Sequence, residues 1–212
     1  MTLSDYIEQH SSGPSEVLKY IEHDTAVNVL NPHMLSGAVQ GRVLAFLSRM
    51  IHPNRILEIG TFTGYSALCL AEGLTPDGQL LTLEHNDELE YTIRHNLSLS
   101  PLGRQIELCL GDALTTLASL KTDAPFDLCF IDADKREYSA YLDAVLPLMA
   151  SDGWIIADNT LWDGHIIDPA YDKDKQTLGL RAFNDKVAAD PRLEQVIVPL
   201  RDGLTLIRII KK

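Results

Sequence analysis

Three things are scarce in this 212-residue chain: long apolar runs, basic stretches and cysteine. No apolar stretch approaches the roughly 18 residues that a membrane-spanning helix requires. Met1-Thr2-Leu3-Ser4-Asp5 has neither the basic n-region nor the apolar core of a secretory signal. A soluble cytoplasmic protein without a membrane partner is the expectation. Lys and Arg number 18 against 30 Asp and Glu, a formal net charge of −12, and they form no run longer than the pairs Lys135-Arg136 and Lys211-Lys212. Nucleic-acid binding depends on neutralising phosphates with Lys and Arg, so a nucleic-acid partner is disfavoured. Cys69, Cys109 and Cys129 are odd in number, lack metal-ligand spacing and lie inside apolar runs. They read as buried free thiols of a reducing compartment rather than disulfides, ligands or nucleophiles.

What is present is enough apolar material, 45% of residues, for a large core. The length suits one domain over 1–212, with residues 1–50 as a helical N-terminal appendage. Short apolar runs at Arg55–Ile59, Gln79–Glu84, Gln105–Leu110, Asp127–Ile131 and Gly153–Asp158 read as strands. They alternate with helical patterns at Tyr65–Glu72, Glu88–Leu99, Ala113–Leu120 and Tyr138–Leu148. This alternation predicts an α/β fold, a mostly parallel sheet with helices on both faces. A helix at Ser36–Met50 precedes it, and another covers Gly179–Ala189. Leu193–Pro199 and Leu204–Ile210 flank Asp202-Gly203, a hairpin signal that makes the last two strands antiparallel. The polar, Asp-rich segment Asp163–Gln176 reads as a loop.

Two strands close on acidic clusters: Phe130-Ile131-Asp132-Ala133-Asp134-Lys135 and Ile155-Ile156-Ala157-Asp158-Asn159. Open α/β sheets bind ligands beyond the carboxyl ends of their strands. Asp132, Asp158 and Asn159 supply two carboxylates and an amide carbonyl, an all-oxygen set suited to Mg²⁺, Ca²⁺ or Mn²⁺ rather than Zn²⁺. The bland alternative is a pair of ordinary polar strand ends. Asp134 reads as a cap of the following helix or as an exposed residue. Lys135 lies about one turn beyond Asp132 and can face the same point.

The first strand leads into Gly60-Thr61-Phe62-Thr63-Gly64 and then a helix. Phe62 stands where the second glycine of a dinucleotide fingerprint would be, which argues against close approach by a pyrophosphate. Glu84 ends the second strand, placed for ribose hydroxyls, and Gly111-Asp112-Ala113 follows the third. Together they suggest a nucleoside-bearing cofactor without a pyrophosphate, although Glu58 and Asp112 could equally cap a helix or pair with a cation.

Arg55-Ile56-Leu57-Glu58-Ile59-Gly60-Thr61-Phe62-Thr63-Gly64-Tyr65-Ser66, Phe130–Lys135 and Ala157-Asp158-Asn159-Thr160-Leu161-Trp162 resemble the motifs of the cation-dependent O-methyltransferases. That family includes the caffeoyl-CoA and catechol O-methyltransferases, which use S-adenosylmethionine. The resemblance runs from about Met34 to the C-terminal hairpin. It implies a Rossmann-like class I methyltransferase fold with a seven-stranded sheet. It also implies that Glu58 and Gly60 position the methionine part of the cofactor and that Ser66 contacts its carboxylate. Glu84 would take the ribose, Asp112 with Ala113 the adenine, and Met34 and Ser36 would belong to a segment closing over the cofactor. Asp132 would touch the cofactor as well as the cation, Mg²⁺ foremost, and Lys135 would be the general base. Trp162 would wall the acceptor ring, and Arg181 and Asn184 would touch acceptor or metal. His165 reads as a solvated loop residue.

The implied function is O-methylation of a small vicinal dihydroxy aromatic by a homodimer. A phenol, with a pKa of about 10, needs its oxygen stabilised as phenolate to attack at neutral pH. The rival readings are methylation of a hydroxylated base in transfer RNA, a nicotinamide-dependent oxidoreductase, and a non-catalytic cofactor-binding module.

Overall fold

The computed structural model describes residues 1–121 and 124–210, so the Lys211-Lys212 pair lies outside the described residues. The regular elements in chain order are α1 (Leu3–Gln9), α2 (Glu16–Asn28), α3 (Gly37–Ile51), β1 (Arg55–Ile59), α4 (Tyr65–Ala71), β2 (Gln79–Glu84), α5 (Glu90–Ser98) and β3 (Ile106–Leu110). Then come α6 (Ala113–Ser119), β4 (Phe126–Ile131), α7 (Tyr138–Val145), β5 (Met149–Ala157), α8 (Lys175–Ala189), β6 (Leu193–Val198) and β7 (Leu204–Ile209). All seven predicted strands form, in one mixed sheet, and the expected α/β class stands. No helix among the described residues is long and apolar enough to cross a membrane.

Most boundaries fall within one to three residues of the expected ones, and three larger differences stand out. Helix α8 begins a turn earlier, at Lys175, because the Asp174 carboxylate accepts from the Thr177 backbone N–H at 2.7 Å and caps it. The segment expected as loop is partly wound into 3₁₀ turns at Trp162–Ile167 and Pro169–Tyr171. Strand β5 begins at Met149, ahead of a register break with β4 at which Asp152 takes φ 66°.

The chain divides into two compact units, Met1–Asn54 with Thr61–Gly111, and Arg55–Gly60 with Asp112 onward. The first holds the three strandless N-terminal helices, α4, α5 and the parallel pair β2/β3, with Glu84 opposite Leu110. Its helices α3 and α4 approach closely at Gly41, where a Cβ would lie 2.7 Å from the Tyr65 ring.

The second unit carries β1-β4-β5-β7-β6. Strands β1, β4 and β5 run parallel, and β7 is antiparallel to both its neighbours. Leu57, Cys129, Phe130 and Ile156 are fully or almost fully buried, as expected of central parallel strands covered on both faces. Burial also pushes the Cys129 thiol pKa up, and none of Cys69, Cys109 and Cys129 is in a disulfide.

Register fixes where these strands end. Ile59 pairs with Ile131, and Ile131 with Ala157, so Gly60, Asp132 and Asp158 leave three adjacent strands at one level. Asp132 N–H donates to the Ile59 carbonyl at 2.8 Å, and Asp158 N–H to that of Ile131 at 2.9 Å. With neighbouring strands about 4.8 Å apart, the two aspartates start side by side. Helix α8 packs against this end of the unit. Phe183 meets Tyr138 edge-on at 5.4 Å, and a Cβ on Gly179 would fall 2.4 Å from the Lys135 carbonyl oxygen.

Candidate active site

The strand-end cluster of the second unit centres on Lys135. Its Nζ donates to Asp132 Oδ1 at 2.7 Å and to the Tyr138 hydroxyl at 2.9 Å. The Tyr138 hydroxyl in turn donates to the Asp158 carbonyl at 3.1 Å. Burial alone would lower the lysine's pKa, but the Asp132 charge and these hydrogen bonds outweigh it and raise the value. Lys135 is therefore a buried ammonium, 8% exposed. Asp158 is buried too, and its Oδ1 accepts from Asn159 N–H at 2.7 Å.

Asn159 turns the chain in the left-handed region, φ 57°. Its Nδ2 donates to Asp202 Oδ2 at 3.4 Å, which leaves the amide oxygen as its accepting end. Among the described residues no three His, Cys, Asp or Glu side chains gather as a metal cluster. A cation here would depend on the amide oxygen of Asn159 beside Asp132 and Asp158. Two carboxylates and one amide are hard, oxygen-only donors, and this chemistry fits Mg²⁺ with positions left for water and acceptor.

The turn after Asn159 is pinned by the C-terminal hairpin. Thr160 N–H donates to the Gly203 carbonyl at 3.1 Å and Leu161 N–H to that of Asp202 at 2.7 Å. Gly203 has φ 91°, and a Cβ there would lie 2.4 Å from Leu161. Asp202 and Tyr138 are the two neighbours of the cluster that the sequence reading missed. Tyr138 lies three residues after Lys135, a one-turn spacing that signals it; Asp202 shows in the sequence only the turn chemistry of Asp202-Gly203.

Trp162, at φ 47°, carries its ring to 6.0 Å from Lys135 Nζ. His165 is half-buried rather than solvated, stacked on Tyr171 at 3.5 Å and edge-on to Trp162 at 6.4 Å. Arg181 and Asn184, expected at acceptor or metal, both donate to backbone carbonyls, and the Asn184 amide oxygen is buried without a hydrogen-bond partner among the described residues. Arg181 donates to the carbonyls of Ile166 (2.8 Å), His165 (3.1 Å) and Asp168 (3.0 Å), and to the Asp172 carboxylate at 2.6 Å. Asn184 Nδ2 donates to the Thr160 carbonyl at 2.9 Å. Asp134 caps the 3₁₀ turn at Lys135–Glu137 through Arg136 N–H, as the sequence predicts.

At the end of β1, Glu58 is fully buried and Gly60 has φ 97°. A Cβ on Gly60 would sit 1.9 Å from the Asp132 carbonyl oxygen, so only glycine fits. In the first unit the turn continues as Thr61-Phe62-Thr63-Gly64, with Phe62 at φ 52°. That conformation is uncommon for a bulky residue, and Glu84 holds it. The Glu84 carboxylate accepts from Thr61 N–H (3.1 Å), Phe62 N–H (2.8 Å) and Asn86 N–H (2.8 Å). A carboxylate offers roughly four acceptor positions, so room remains for a hydroxyl. Thr63 is clamped as well, its hydroxyl by Thr25 and its carbonyl by Asn96, each at 3.0 Å.

Ser66 is buried in the first turn of α4, and Ser36 is buried just ahead of α3. Met34 is half-exposed in a 3₁₀ turn. In the second unit Asp112 caps α6, accepting from Thr115 N–H at 2.8 Å, with Ala113 the first residue of that helix.

Comparison with known proteins gives these clusters a context. A family model described as O-methyltransferase matches residues 8–210. The chain is 34% identical to caffeoyl-CoA O-methyltransferase 2 of Populus trichocarpa, over 99% of this chain and 89% of that protein. Among solved structures it resembles the O-methyltransferase from Bacillus cereus in complex with SAH, with TM-score 0.89, 31% identity and coverage of 97% and 96% of the two chains. It also resembles the O-methyltransferase TomG from Streptomyces achromogenes in complex with SAM, with TM-score 0.90, 28% identity and coverage of 98% and 95%.

Proposed function

The chain belongs to the O-methyltransferase family, and we propose that it methylates one hydroxyl of a small vicinal dihydroxy aromatic with the help of a divalent cation. S-adenosylmethionine dependence follows from the family and its SAM- and SAH-bound structural relatives. The acceptor and the cation are our own reading, and one observation carries them. A buried Lys135–Asp132 pair stands beside Asp158 and Asn159 at neighbouring strand ends, with an aromatic ring, Trp162, next to the lysine.

In this reading Asp132, Asp158 and Asn159 hold the cation, Mg²⁺ foremost, and the cation's contribution when bound is to stabilise the phenolate form of the acceptor. Trp162 lies against the ring. Lys135, held charged by Asp132, offers a positive charge and an N–H donor to a phenolate oxygen. The neutral amine needed for a general base forms only when the Asp132 charge is engaged elsewhere.

For the cofactor, Gly60 allows close approach of backbone at the end of β1. Glu84, with an acceptor position to spare, suits the ribose. Glu58, Ser66, Asp112, Ala113, Met34, Ser36 and Asp132 take the cofactor contacts that the family resemblance implies. Holding donor and acceptor in line supplies a large share of the acceleration.

A panel of catechols and single phenols, assayed for S-adenosylhomocysteine release with Mg²⁺ and with excess chelator, tests the proposal. Catechol turnover that chelator abolishes and Mg²⁺ restores is the expected outcome. Full activity in chelator, or equal turnover of single phenols, refutes it.

A further inference from the structure

We propose that Arg181 is a positioning residue for acceptor binding, acting through the 162–172 segment and not by touching the acceptor. The inference rests on the methyl transfer proposed above. Arg181 sits on α8, with its side chain only 26% exposed. Three backbone carbonyls and the Asp172 carboxylate take most of the N–H donors that a guanidinium carries. Little donor capacity remains for a substrate.

The segment needs such a grip. Trp162 and Asp163, at φ 47° and 51°, and Gly164, at φ 81°, stand consecutively in the left-handed region. For non-glycine residues that conformation persists only where the surroundings over-determine it. The hairpin bonds from Leu161 to Asp202 fix the incoming side of the turn, and Arg181 fixes the outgoing side at residues 165, 166 and 168. Trp162 lies between the two anchors.

The same helix also touches the lysine. Gly179 lies against the Lys135 backbone, and Asn184 bonds the Thr160 carbonyl. Three positions within two turns of α8 thus set Trp162 and Lys135 relative to each other, and Arg181 is the one that governs the loop. A lysine there would keep the charge near Asp172, but a compact ammonium cannot span three carbonyls with the geometry of a planar fork.

The test compares wild type with Arg181→Lys, Arg181→Gln and Asp172→Asn by hydrogen exchange and by steady-state kinetics. In both Arg181 variants, exchange of amides 161–172 should rise about tenfold or more while the sheet amides stay protected, as for a local opening. Acceptor KM should rise about tenfold, with cofactor Kd unchanged and kcat falling less than threefold, as expected for lost uniform binding. Asp172→Asn, which keeps the three carbonyl bonds, should stay near wild type in both measurements.

A raised acceptor KM with unchanged exchange means direct contact with the acceptor and overturns the proposal. So does a loss shared equally by cofactor affinity and global stability. Wild-type protein inactive on every acceptor would instead refute the function proposed above, and with it the role in acceptor binding, while the exchange measurement would still report on the loop.

Discussion

Replacing Gly179 by alanine would place a methyl carbon 2.4 Å from the Lys135 carbonyl oxygen and 2.8 Å from Arg136 Cα. Both are backbone atoms, so no flexible side chain can swing aside. Ordinary contact begins near 3.4 Å, and helix and turn must part by about 1 Å. In an unhindered helix interior Gly→Ala stabilises by about 1 kcal/mol, whereas overpacking of a tight contact costs about 1–3 kcal/mol. The net is a destabilisation of about 0–2 kcal/mol, so Tm should fall by no more than about 8 °C in a chain of this size. Activity has no such compensation. Displacement falls on Lys135 and its bonds to Asp132 and Tyr138, and misplacement by about 1 Å can cost on the order of 100-fold in rate. The assay is S-adenosylhomocysteine release at saturating catechol, cofactor and Mg²⁺, with Tm and cofactor Kd measured alongside. Turnover within about twofold of wild type would refute the reasoning, since the lysine would then not depend on the helix that supports it.

Two further substitutions separate the halves of the chemistry. Lys135→Ala should lower kcat by about 100-fold or more while cofactor Kd moves less than threefold, as expected for a group acting on the reacting oxygen; isothermal titration and initial rates check both. Glu84→Ala removes the acceptor of three backbone amides, and unsatisfied buried donors cost about 1–3 kcal/mol each. A loss of at least tenfold in cofactor affinity together with a lower Tm is expected, and unchanged affinity by titration would show that the 61–64 turn does not need the carboxylate.

The strands were legible in the sequence because central parallel strands are buried on both faces, so Ile56-Leu57 and Cys129-Phe130-Ile131 appear as unbroken apolar runs. The placement of Asp132 and Asp158 was legible for the same reason, each being the first polar residue after such a run. The start of α8 was hidden because its cap, Asp174, sits among Asp172 and Lys173 and looks like more loop. The contacts of Arg181 are not legible in the sequence, because three of its four partners are carbonyls, which every residue possesses. Glu84 carried a similar ambiguity: an acid placed for a ribose is, in the fold, first an anchor for the amides of Thr61 and Phe62.

The grip of Arg181 on carbonyls rather than side chains has an evolutionary corollary. The groups it holds at residues 165, 166 and 168 survive nearly any exchange of the side chains they carry. The anchor therefore outlasts side-chain exchange, while His165 keeps a separate task in its stack on Tyr171 and Asp168 in its cap on the Ala170 N–H. Main-chain anchoring of this kind tolerates exchange at Ile166 more readily than at His165 or Asp168, whose side chains hold contacts of their own.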